Sequence, residues 1–352
     1  MKRRIGAKPW SALALCGALV ASGGLAACGG SSDSASASGS SSSGSKTQLA
    51  LVAYSTPKRA YDALTAAYAK TSQGKGTSFS ASYGPSGSQS KAVLAGQPAD
   101  VVAFSTEPDI SRLVKGGLVS SNWDANTYKG IVADSVVVFV VRKGNPKHIT
   151  TWNDLIKSGV SVVTPNPSTS GSAQWNIMAA YGAQLKMGKS PSQALDYVKT
   201  LLTKHVSVED PSGSTAMSTF TGGKGDVLLS YENEAISAEK AGENVQYVIP
   251  KQTILIQTPD AVVKKSSHAK QAQAFLNWLG TPAAQTIWGQ KGYRPVVPSV
   301  MSKFKSKFPT PPQQFTMDSL GGWTQVKKKF FGPSTGLITK IQAAAGFPTA
   351  SS

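Results

Sequence analysis

Between residue 48 and about residue 308 the chain alternates short apolar runs with amphipathic stretches, and few architectures accept that alternation. Gln48 to Tyr54 is apolar, after which Thr56-Pro57 reads as the N-cap and first position of a helix carrying Leu64 and Tyr68. Ser78 to Tyr83 is a second strand, a helix runs from about Ser88 to a stop at Gly96, and Asp100 to Phe104 is a third strand. The continuously apolar run Ser135 to Arg142 predicts a strand buried on both faces. Val160 to Thr164, Val227 to Tyr231 and Val245 to Ile249 extend the series. A helix from about Ser172 places Ala173, Ile177, Tyr181 and Leu185 on one face. Ser267 caps another through Leu279, and Thr281-Pro282 starts a third. Beyond about Phe308 the pattern breaks into a tail punctuated by Pro and Gly, with short helical stretches. The predicted class is α/β, with largely parallel sheets flanked by helices. A chain of 352 residues is long for one such sheet, so two lobes joined by crossing strands fit it better. The crossings are expected near Ser135–Arg142 and Gln246–Thr258.

The residues before this pattern follow a different logic. Lys2, Arg3, Arg4 and Lys8 flank an apolar run, Trp10 to Val20, that is too short to span a bilayer. Leu25-Ala26-Ala27-Cys28 then resembles a bacterial lipobox, so residues 1–28 are expected to be a signal peptide ending at a lipidated Cys28. The other cysteine, Cys16, lies in the segment to be removed, which leaves the mature chain no internal disulfide and no cysteine zinc cluster. Residues 29–46 are nearly all Gly, Ser and Ala. They cannot bury enough apolar area to offset ordering entropy, and are expected to form a flexible tether. The location this predicts is extracytoplasmic, anchored by lipid to the outer face of the cell membrane.

The formal charge is +18, of which Lys2, Arg3, Arg4 and Lys8 supply four. Such an excess suits an anionic partner. The clusters Lys303, Lys305, Lys307 and Lys327, Lys328, Lys329 sit late in the chain and read as a solvated face near an anionic membrane or wall. Export places them away from nucleic acid, which is not expected as a partner.

Three segments share one design, in which a strand is followed by a loop of small residues and then a helix. They are Tyr83-Gly84-Pro85-Ser86-Gly87-Ser88, the run Thr164 to Ser172, and Asp210-Pro211-Ser212-Gly213-Ser214-Thr215. A helix start offers unpaired N–H groups and the positive end of the macrodipole. Small residues let a ligand approach that backbone closely, and hydroxyls add donors. Each loop could be an ordinary capped turn, but three at the carboxyl ends of strands form a natural oxyanion site without side-chain charge.

From Tyr54 to Trp323 the sequence resembles the periplasmic sulfate- and thiosulfate-binding proteins of ABC importers. The resemblance is carried by Gly84-Pro85-Ser86-Gly87-Ser88-Gln89, Val141 to Lys147, Trp152 to Lys157, and Thr164-Pro165-Asn166-Pro167 with Ser170-Gly171 and Trp175-Asn176. It continues through Gly225 to Ala235, Tyr293-Arg294-Pro295 and Gly321-Gly322-Trp323. It implies a two-lobed, hinge-closing binding protein of the second structural class that holds one dehydrated dianion by neutral donors, needs no cofactor or metal, and delivers to permease subunits. A monomer is expected.

Residue by residue, the resemblance places Ser86 in the first lobe, Ser170, Gly171 and Ser172 in the second-lobe loop, and Gly213 where a small residue donates its amide. Tyr231 stands where the family has an indole donor, Ser55 where an aspartate is frequent, and Gln174 where an arginine is frequent. The implied division is 47–138 with 250–308 for lobe I, 139–249 for lobe II, and 309–352 for a C-terminal helical or tail segment. Sulfate, with thiosulfate second, is the expected ligand; molybdate and phosphate are the alternatives. Phosphate keeps a proton near neutral pH and needs an acceptor, for which Asp210 is the nearest candidate.

Enzymatic chemistry finds little support. His148, His205 and His268 are scattered, Ser86 lacks the G-x-S-x-G spacing, and no phosphate-binding P-loop occurs. Glu232 and Glu234 could serve acid–base work but read as ordinary acids at a helix start. With no titrating ligand in the site, affinity is expected to be flat between about pH 5 and about pH 8.

Overall fold

The computed structural model describes residues 47–349, so Cys28, the signal segment and the tether lie outside the described residues. The first series of elements is β1 (Thr47–Tyr54), α1 (Lys58–Tyr68), β2 (Thr77–Gly84), α2 (Ser86–Leu94), β3 (Val101–Ala103) and α3 (Glu107–Lys115). β4 (Ile131–Arg142) leaves it for a second series. That series comprises β5 (Val162–Pro165), α4 (Gly171–Lys186), α5 (Pro191–Thr200), β6 (Val206–Asp210), α6 (Gly213–Thr221), β7 (Val227–Tyr231), α7 (Glu232–Lys240) and β8 (Val245–Val248). β9 (Gln252–Val262) returns to the first, and α8 (Ala269–Leu279), α9 (Pro282–Gln290) and α10 (Pro298–Met301) cover it. β10 (Gln313–Phe315), α11 (Gly322–Phe330) and α12 (Leu337–Ala344) end the described chain.

The strands run in the order β2-β1-β3-β9-β4-β7-β5-β6, with β10 added beside β9 and β8 beside β4. β1 is parallel to β2 and β3, and β5 is parallel to β6 and β7. The two crossing strands run antiparallel to each other, β9 also to β3 and β4 also to β7 and β8, while β10 lies parallel to β9. β4 pairs with β9 from Ile131 to Val136 and with β7 from Val137 to Val141. Its partner thus changes within the apolar run expected to cross, although the strand starts earlier, at Ile131. The return strand, β9, overlaps the expected Gln246–Thr258 but starts later, after β8, and runs on to Val262.

Burial explains why β4 can serve both series. Its residues from Val136 to Val141 are buried, their side chains alternating between cores on opposite faces. Phe139 meets the indole of Trp152 edge-on at 4.8 Å on one face, while Val138 and Val140 pack beside Phe220 on the other. Helix α4 is buried on every side from Gly171 to Gln184, rather than on the single face its periodicity predicts. The reason lies in the C-terminal segment, which is not a loose tail. Trp323, Val326 and Phe330 recur at helical spacing on α11 and join the same core as Trp175 and Tyr181. Trp175 meets Trp323 at 4.8 Å and Tyr181 meets Phe330 at 4.9 Å.

Several motif residues hold the frame. Asp226 accepts the Ser161 amide at 2.9 Å, and Arg294 grips Glu232 through Nε at 2.7 Å and Nη2 at 3.0 Å. Removing one partner of a buried pair of this kind costs about 3–5 kcal/mol, because the other charge is stranded.

Candidate functional site

Six helix starts meet between the two sheets. Thr56 precedes α1, Ser86 opens α2, Ser105 and Thr106 precede α3, Gly171 opens α4, Gly213 opens α6 and Tyr231 precedes α7. Each follows the carboxyl end of a strand, which is where open α/β sheets accept ligands. The loops before these helices are built of Ser, Thr, Gly and Pro, residues that end strands, tolerate tight turns and bring backbones close.

All six ligand residues predicted from sequence are brought together. Ser86 donates its hydroxyl proton to Asp109 Oδ2 at 2.6 Å and accepts the Ser105 amide at 3.0 Å. Its hydroxyl is therefore engaged on both sides, and its remaining donor is the backbone N–H. Gly87 N donates to Thr169 O at 3.0 Å, joining α2 to the loop before α4. Ser170 and Ser172 share a hydrogen bond at 2.8 Å between their hydroxyls. Gly171 lies so near the first sheet that a Cβ there would stand 2.7 Å from Ser105 Oγ. A Cβ on Gly213 would stand 3.0 Å from Ser172 Oγ, 3.1 Å from Glu234 Oε2 and 3.3 Å from Thr56 Oγ1. Tyr231 is wholly buried, and its OH lies 2.7 Å from Ser105 Oγ.

The donors are poised rather than spent. The residue before α4, Ser170, makes no side-chain cap, and neither does Pro85 before α2 or Tyr231 before α7. Ser212 caps α6 at Thr215, one turn in from Gly213. First-turn N–H groups at α4 and α6 thus point into the space between the sheets, where an oxyanion would be met by dipoles and small side chains. If Ser105 donates to Tyr231, the phenol proton is free for a ligand. Burial pushes the Tyr231 phenol well above its ordinary value, so it stays protonated.

Sequence reasoning missed four neighbours. Ser105 contacts Ser86, Tyr231 and Trp175, whose Nε1 donates to Ser105 O at 2.7 Å. Phe104-Ser105-Thr106-Glu107-Pro108 has the same strand–loop–helix design as the other three segments and could have been found on that ground. Asp109 gathers Ser86, Thr106 and Arg112. Thr56 and Glu234 close the ring beside Gly213.

Glu232 and Glu234 stand in the first turn of α7, as expected, and both are buried. Glu232 pairs with Arg294, and Glu234 accepts Ser230 Oγ at 2.7 Å. Burial pushes the Glu234 carboxyl up to about 7, with the Ser230 and Thr56 hydroxyls pulling it back. An ionisable acceptor therefore borders the site at Glu234, while Asp210 Oδ2, ahead of α6, is buried without a hydrogen-bond partner. His205 contacts Val160 O and His268 lies beside Asp100, both away from the ring.

Residues 49–294 match the family model described as bacterial extracellular solute-binding protein. The sulfate-binding protein of Synechococcus elongatus is 40% identical over 91% of this chain and 92% of its own length. The thiosulfate-binding protein of Escherichia coli is 38% identical over 79% of this chain and 84% of its own. Among solved structures, the sulfate-binding protein SubI from Mycobacterium tuberculosis superposes with a TM-score of 0.79 at 48% identity, covering 80% of this chain and 98% of that one. The chain belongs to the bacterial extracellular solute-binding proteins, within the family of sulfate- and thiosulfate-binding proteins.

Proposed function

We propose that this protein binds sulfate, and thiosulfate as a second ligand, outside the cytoplasm for delivery to an ABC importer. The observation that carries the reading is the convergence of six helix starts; in this reading Ser86, Ser170, Gly171, Ser172, Gly213 and Tyr231 face the ligand. Hydrogen bonds to a charged group contribute about 1.5–3 kcal/mol each. Six or seven of them offset much of a dianion's desolvation and leave binding of about −8 kcal/mol, the micromolar range. Sulfate accepts from every direction, which suits a ring of N–H and O–H donors. Its thio analogue fits the same geometry.

The lobes in this reading are 47–138 with 250–308, and 139–249, and the protein binds without turnover. Cys28 carries a diacylglycerol and residues 29–46 tether the body to the membrane. Calorimetric titration with sulfate, thiosulfate, molybdate and phosphate tests the ligand: sulfate should bind the ring most tightly. Tighter binding of phosphate or molybdate would sink the sulfate reading. Release of Cys28→Ala from membranes tests the anchor, and its retention there in high salt would discard it.

A further inference from the structure

A cavity of about 470 Å³ opens beside the ring, between α2, α3, α4, α11 and α12. Gly87 and Asp109 belong to both places, so the cavity shares a wall with the ring. Its cations come from three helices: Lys91 on α2, Arg112 on α3 and Lys327 on α11. All three are half-buried. The single carboxylate among its lining residues, Asp109, is already met by Ser86 Oγ, Thr106 Oγ1 and Arg112 Nη1. Neither Lys91 nor Lys327 makes an ion pair among the described residues. Lys327 has a long contact, 3.4 Å, from Nζ to Gln174 Oε1, and its Nζ lies 5.7 Å from the centroid of the Phe331 ring. Burial lowers the pKa of Lys327, and the like charges of Arg112 and Lys91 lower it further against the pull of Asp109. Lys91 is lowered in the same way, by burial first and then by Arg112. Holding these ammonium groups together costs free energy that a bound anion would return.

We propose that this cavity is an outer anion site, an antechamber in which Lys91, Arg112 and Lys327 hold a hydrated tetrahedral dianion such as sulfate before it enters the neutral ring. The proposal rests on the sulfate reading and extends it. The two places divide the work by chemistry. The ring strips water with aimed dipoles, whereas the antechamber gathers charge and leaves the ion's water in place, for which the cavity is roomy enough. The Asp109 carboxylate bridges them, taking Arg112 on one oxygen and Ser86 on the other. Charge at the mouth of a cleft typically raises association rates by about ten- to a thousandfold at low ionic strength, and salt removes the gain.

The test has two readouts. In the full chain, the Arg112 Nε–Hε NMR signal should shift in a second, saturable step as inorganic sulfate is added beyond the amount that fills the ring. In Lys91→Gln/Lys327→Gln that second step should vanish. Stopped-flow association of the double variant should slow about tenfold at low ionic strength and converge with the parent in high salt. A single Arg112 isotherm in the parent, or a double variant that associates as fast as the parent, overturns the antechamber. So do anionic-lipid vesicles that shift Arg112 where free sulfate does not. A parent with no binding in the ring would overturn the sulfate reading instead, and the Arg112 titration would still report on the outer site.

Discussion

On the β1–β3 side of the ring the polar groups bond to one another: the Ser86 and Thr106 hydroxyls donate to Asp109, the Ser105 amide donates to Ser86 Oγ, and the Ser105 hydroxyl reaches across to Tyr231. On the β5–β7 side, glycines and unused helix starts leave the backbone bare, at Gly171 and Gly213 above all. The first side is braced and redundant, while the second carries the donors and the close approach. A lost or added atom should therefore matter differently on the two sides. On the braced side the neighbours of a deleted hydroxyl remain held by others. On the bare side an added methyl blocks contact between the sheets outright.

The largest expected effect is therefore an addition. Gly171→Ala would place its Cβ 2.7 Å from Ser105 Oγ and 2.8 Å from Ser105 Cβ. Overpacking of this kind costs up to about 3 kcal/mol, or roughly 150-fold in affinity by calorimetry. Parent-like binding would break the comparison at its strongest point. Next comes Tyr231→Phe, which keeps the ring but removes the hydroxyl that reaches across to Ser105. A loss of about 1.5 kcal/mol, on the order of tenfold, is expected. An unchanged affinity would take the tyrosine out of the site.

Glu234 yields a smaller, pH-dependent effect and replaces the flat profile expected from sequence. Its folded pKa is raised to about 7, so the neutral acid is favoured. The stability it contributes is fully present below the ordinary carboxylate range and is lost as pH rises through about 7. Binding follows the same sign, because a dianion beside the carboxyl pushes it up further. If that push is about one unit, affinity falls about fivefold between about pH 6 and about pH 8. Glu234→Gln should flatten the curve. A slope surviving in that variant would assign the titration to another group. The smallest effect belongs to the braced side: Thr106→Ala removes one of three donors to Asp109 and should change affinity by less than about threefold, on the order of 0.5 kcal/mol. A loss as large as that of Tyr231→Phe would show the bracing to be an illusion.

What could be read beforehand followed from local chemistry. The Thr164 to Ser172 loop announced itself because glycine and hydroxyls cluster directly after a strand, and the crossing at β4 because an unbroken apolar run has to be buried on both faces. The burial of Glu234 was not legible, because nothing near it in sequence reveals that Thr56 and Gly213, from distant elements, close over it. The same is true of α11, whose nine residues between glycines look like a fragment until Trp175 and Tyr181 are seen against it. Ser105 escaped for a different reason. It stands between an apolar strand end and the acidic start of α3, and reads as punctuation.

The paired crossing strands carry one more consequence. β4 and β9 do not pass between the sheets as separate cords, because they are hydrogen-bonded to each other along the passage, with Ser135 opposite Ile256 and Val136 opposite Leu255. A two-stranded ribbon flexes and twists across its face but resists shear within its plane. Relative movement of the two sheets would be channelled toward a narrow set of rotations, and Tyr231 pairs with Val137 where β4 passes from β9 to β7. Contacts such as Ser105 with Tyr231 can then open and re-form in register, as the teeth of a hinged clasp do, without any helix or strand having to unfold.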